Sequence, residues 1–137
     1  MEKKNGQGAG IAGLGACTWL FGDMPLAEIA PRLRGLGFDG VELMGELALY
    51  SAAEAGQILA DQGLSVFSLT PADVDLAHPD PTVRGEAVDY YLRLLDFAAE
   101  LGHPLVACHG QVGRVSALSS QAEEMAGFVA AVRRVAL

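Results

Sequence analysis

The sequence predicts an α/β fold on a parallel sheet, with four strands each followed by a helix. Two observations carry this. Short apolar runs alternate four times with segments of helical periodicity, and the apolar runs are too short to be helices themselves. The helical segments also carry start and stop residues where the alternation places their ends.

Taken in order, a polar, glycine-rich leader (residues 1–9) precedes one domain over residues 10–137. The first strand is expected within Ile11–Leu20 and its helix over Leu26–Leu36, where Pro31 removes a backbone donor and should kink the helix or delay its start. Gly40–Met44 is the second strand and Ser51–Gln62 its helix; Leu64–Leu69 is the third strand and Thr82–Leu101 its helix. Asp80-Pro81 sets an N-cap before a proline at the first helical position, and Gly102 closes that helix as Gly37 and Gly63 close the first two. Leu105–Cys108 is the fourth strand. The fourth helix runs from Gln121 onward, opened by a capping box at Ser120 and Glu123, with Met125, Phe128, Val129, Val132 and Ala136 as its apolar stripe.

Bulk properties narrow the function classes. At 137 residues and 51% apolar, the chain can bury one ordinary domain core. Its net charge of −8 is spread along the sequence, which disfavours nucleic acid and anionic membranes as partners. No apolar run is long enough to span a bilayer and the start lacks a signal-peptide pattern, so the cytoplasm is the expected address. Cys17 and Cys108 lie far apart in apolar segments and are expected as buried thiols.

Gly8-Ala-Gly10-Ile-Ala-Gly13 matches a dinucleotide fingerprint, but a polar leader precedes it and a strand follows, the reverse of the context the motif needs. Strand ends are more informative, because parallel strands in a barrel converge their carboxyl ends on one mouth. Those ends are Thr18-Trp19, Glu42-Leu43-Met44, Ser68-Leu69-Thr70 and Cys108-His109-Gly110. Glu42 is a carboxylate inside an apolar strand, where it needs a cation, a donor or water. His109 shares a strand side with Leu105 and Ala107, opposite Val106 and Cys108, and Trp19 is expected to wall a pocket. Trp19, Glu42 and His109 are therefore the candidate substrate-binding residues.

The stretches "CTWLF" (17–21), "LRGLGFDGVEL" (33–43) and "DLAHPDPTVRGEAVDYYLRLLDFAAELGHPLVACHG" (75–110) resemble the sugar phosphate isomerase/epimerase group of the xylose isomerase-like TIM barrel superfamily. The most specific features are Asp80-Pro81 with Arg84, "FAAELG", and an apolar strand ending in His109. The resemblance implies the parallel (βα)4 half of a TIM barrel, cut before the fifth strand, since a whole barrel needs eight units. It implies metal-dependent proton transfer through an enediolate, with a divalent metal (Mn, Zn or Mg) whose ligands, two glutamates, an aspartate and a histidine, belong to the half not seen here. It leaves this chain the substrate side, with Trp19 as aromatic wall, Glu42 as polar strand-end group and His109 near the sugar oxygens or metal. The implied partner is a small sugar or sugar phosphate, and a homodimer or a complementary half-barrel could pair the open edges. A non-catalytic binding or assembly module is the alternative. The apurinic endonuclease branch fits poorly, because the chain has no basic stripe.

Overall fold

The computed structural model describes residues 13–109 and 114–136. The leader and all of the Gly8–Gly13 motif except Gly13 lie outside the described residues. Four parallel strands, β1 (Gly15–Cys17), β2 (Gly40–Gly45), β3 (Ser65–Pro71) and β4 (Leu105–Val106), lie side by side in chain order. The helices α1 (Leu26–Gly35), α2 (Ala52–Asp61), α3 (Pro81–Glu100) and α4 (Gln121–Val135) follow them one by one. This is the predicted half-barrel.

Strand alternation separates two faces. Val41, Leu43 and Leu69 are fully buried and join Leu33, Leu59, Val88 and Leu94 of the helices in one core. On the other face, Cys17 of β1, Glu42 of β2, Ser68 of β3 and Leu105 of β4 stand in register across the sheet, with Met44 beside Thr70 one layer further on. The β2–β3 register slips between Val41 and Glu42, leaving Phe67 as an extra residue. Its ring lies over Gly13, Gly15 and Gly40, and a methyl group at Gly40 would fall 2.5 Å from the Ser65 carbonyl oxygen and 2.7 Å from the Phe67 ring. Glycine is required there by close approach of backbone and ring, not by dihedral freedom.

The helix ends follow their local chemistry. The Asp80 side chain accepts from Thr82 N at 2.8 Å, and capping boxes close at Ser51–Glu54 and Ser120–Glu123. Gly37, Gly63 and Gly102 all have positive φ. α1 begins at Leu26 directly after Pro25 and continues through Pro31, so its start is not delayed. No helix among the described residues is long and apolar enough to cross a membrane.

Four expectations are corrected. β1 is only three residues long, because the chain turns at once into a 3-10 helix over Thr18–Phe21, so Trp19 sits on that turn. β4 pairs only through Leu105 and Val106, with Ala107 N still reaching the Leu69 carbonyl at 2.9 Å, so His109 lies beyond the strand. Cys108, past the end of that edge strand, is exposed, and Cys17 is only partly buried. In α4, Met125 and Val129 are exposed, while Glu124 and Ala131 are buried and Phe128, Val132 and Val135 pack on the core. The buried stripe is displaced because Glu124 is drawn inward by an arginine partner described below.

Candidate functional site

Cys17, Glu42 and Thr70 meet on the open face of the sheet: Cys17 ends β1 and Thr70 is next to last in β3, but Glu42, expected at a strand end, lies midway along β2 because that strand runs on to Gly45. The Cys17 thiol donates to Glu42 Oε2 at 2.9 Å, and the Thr70 hydroxyl donates a short hydrogen bond to Glu42 Oε1. The strand order explains the meeting: Cys17 is level with Glu42 in the sheet, and Thr70 lies one layer further along β3. Just above, the buried Thr18 hydroxyl accepts from Met44 N at 3.1 Å and fixes the turn after β1 to β2.

The electrostatics follow from these contacts. Donation from Cys17, then from Thr70, holds the Glu42 carboxyl below the usual carboxylate range against the effect of its partial burial, and the nearby His109 lowers it further. Reciprocally, the hydrogen bond to Glu42, desolvation and the carboxylate's charge push the Cys17 thiol up to about 11. Glu42 is therefore an ionised acceptor at neutral pH, and Cys17 a neutral donor. A thiol is a weak donor, so a hydroxyl donor can take its place on the carboxylate at small cost.

His109 is half-buried and anchored through its backbone, whose N–H donates to the Tyr91 hydroxyl at 3.1 Å. The charge on Glu42 is influenced by His109, but no hydrogen bond or ion pair joins the two among the described contacts. Trp19 is not part of the Glu42 site. The indole is half exposed on the wall of a separate cleft between the turn after β1, α1, the end of β2 and α2. That cleft meets the Glu42 site through Met44, which lines the cleft and follows Glu42 on the same strand face.

A second polar assembly holds the region around the site. Arg114 Nε donates to Asp75 Oδ2 at 2.6 Å, and its Nη1 lies 3.0 Å from Glu124 Oε2. Glu124 Oε1 also accepts from Leu118 N and Ser119 N at 2.6 and 3.0 Å. The triad ties the loop after β3, the segment after His109 and the start of α4 together. Sequence reasoning missed it, as it missed the Cys17 and Thr70 contacts. The available signal for Thr70 was a polar residue at a strand end; a charged residue within an apolar helical stripe was the one for Glu124.

A divalent metal is implied by the fold family, but the residues described do not fit one: among them no group of three or more His, Cys, Asp or Glu side chains is placed to hold a metal ion. The described site can accept and donate hydrogen bonds to hydroxyl groups, and no step through a metal follows from it.

Comparison with known proteins agrees with this architecture. The family model for the xylose isomerase-like TIM barrel matches residues 31–136. Similar solved structures include D-psicose 3-epimerase from Clostridium cellulolyticum H10, 21% identical with a TM-score of 0.76 and covering 91% of this chain and 47% of that one. An L-ribulose 3-epimerase is 21% identical with a TM-score of 0.76, covering 92% and 45%. A 3-keto-D-glucoside 4-epimerase from E. coli is 20% identical with a TM-score of 0.72, covering 90% and 51%. The chain spans about half the length of these solved chains. The family match covers most of the sequence and every described strand–helix unit after the first, so this chain belongs to the xylose isomerase-like TIM barrel family.

Proposed function

We propose that this chain supplies the substrate-side half of a sugar isomerase/epimerase pocket, binding and orienting a sugar at Glu42, Thr70 and His109. The observation that carries the reading is the ionised Glu42 carboxylate, held by Cys17 and Thr70 on the face of the parallel sheet that the helices leave open. The similar solved structures, named as epimerases of sugars, support it. An uncharged sugar suits the site better than a sugar phosphate. Glu42 is an anion that repels a phosphate, and Cys17 and Thr70, which donate to it, carry no positive charge to offset that.

In this reading the proton transfer between adjacent sugar carbons, and the divalent cation (Mn, Zn or Mg) that assists it, rest on groups outside the described residues. The chain's own contribution is to accept hydroxyl protons at Glu42 and to order the ring. The reading also needs the edges of β1 and β4 paired, by a second copy of the chain or by a complementary half-barrel.

The test is an NMR titration with D-fructose. Shifts at Glu42, Thr70 and His109 are expected, and Glu42→Gln should weaken binding about tenfold or more, since a hydrogen bond to a charged group is lost. Absence of those shifts at saturating sugar concentrations would remove the reading.

A further inference from the structure

The cleft walled by Trp19 has a volume of about 980 Å³ and lies between α1 and α2, with Glu42 outside its lining. Its walls are apolar, with Met24, Met44, Leu49, Tyr50 and Ile58 joining Trp19. The Tyr50 hydroxyl donates to the Met44 carbonyl at 3.0 Å, so that ring presents little unmet polarity. Carboxylates at Asp23, Glu46 and Glu54 also line it, and none of the lining residues is lysine or arginine. A bare hexose has no group for such a space. Clefts of this size take a drug-sized ligand by apolar contact, with a few polar groups fixing its orientation.

We propose that this cleft binds an uncharged alkyl or aryl substituent of a sugar that keeps a carbonyl free for the proton transfer, the sugar itself lying at Glu42 and Thr70, with an alkyl glycoside serving as the binding probe. The inference rests on the sugar reading above and narrows its substrate class. Two observations select the occupant. Met44 belongs to the cleft and stands on the same strand face as Glu42, about 7 Å further along β2, so one sugar ring bridges the two places. The lining carboxylates repel phosphates and carboxylates while leaving a neutral apolar group to the aromatic and aliphatic walls. Exposed indole and leucine surface, with Trp19 at 49% and Leu49 at 71%, is what such a group would cover.

Trp19 is the chain's one tryptophan, so its fluorescence reads the cleft directly. The chain is titrated with octyl β-D-glucopyranoside below its micelle concentration, with D-fructose, and with 1-octanol, following Trp19 emission and the Glu42 and His109 resonances. The glycoside should bind at least about tenfold more tightly than the free sugar, the gain expected from burying a few methylenes. It should shift Trp19 emission, which D-fructose leaves unchanged. Leu49→Asp, at an exposed position that tolerates substitution, should weaken the glycoside far more than the free sugar; Leu49→Met should restore the difference. A free sugar that moves Glu42 while the glycoside binds no better overturns the cleft proposal and leaves the sugar reading standing. Octanol that shifts Trp19 while neither sugar moves Glu42 overturns both.

Discussion

Glu42 shows how a carboxylate stays charged inside an apolar strand: two side-chain donors from neighbouring strands compensate the solvation it loses. Cys17→Ala removes the larger of these influences, so the Glu42 pKa should rise toward its ordinary 4.5, as a carboxyl-resolved NMR titration would record. Because folding lowers this pKa, the associated stability is present above the unfolded value and lost as pH falls through the folded one. The stability gap between wild type and Cys17→Ala should therefore be wider at pH 6 than at pH 3, measured by urea unfolding. The thiols should also react unequally at pH 8. Exposed Cys108 should label quickly and Cys17, pushed up to about 11, slowly, with Glu42→Gln accelerating Cys17 by removing its acceptor and the adjacent charge. That Glu42 stands within a strand was legible from its isolation among apolar residues, but β2 runs on to Gly45 and leaves it mid-strand. Its partners were not legible, because Cys17 and Thr70 reach it only through lateral strand pairing.

At the scale of the element, caps and glycines were readable because their chemistry is local: Asp80, Ser120, Glu123, Gly37, Gly63 and Gly102 act within a few residues of themselves. The Ser51–Glu54 box obeys the same rule, and Ser51→Ala should cost about 1 kcal/mol in a thermal or urea melt. The rotation of α4 was not readable. Its apolar residues allow more than one inward face, and the buried Asp75–Arg114–Glu124 triad selects the one that carries Glu124 inside. Glu124→Ala leaves the Arg114 charge and two backbone N–H groups without that acceptor. A loss of roughly 3 kcal/mol or more is expected in urea unfolding, in keeping with breaking a buried pair from one side. A small effect would mean that α4 is oriented by its apolar contacts alone.

Over the whole molecule, one sheet face is sealed by helices and the other carries Cys17, Glu42, Ser68 and Leu105 in a row across the strands. Among the described residues β1 and β4 are the edges of this sheet, and Leu105, on β4, is 78% exposed. An unpaired parallel edge with an exposed leucine promotes association. Sedimentation velocity should show concentration-dependent association of the chain, weakened by Leu105→Lys. Association that ignores this substitution would place the contact elsewhere.

The alternation of strand and helix, their chain order and most helix boundaries came from the sequence, because periodicity, capping and turn chemistry are written within a few positions, whereas the strand ends did not. Only the tertiary structure decided that Trp19 belongs to a cleft apart from Glu42, that Cys17 and Thr70 hold that carboxylate, and that Glu124 lies inside. Those outcomes depend on which side chains the sheet register and the buried arginine bring together, and such contacts join residues 10 to 39 positions apart in the chain.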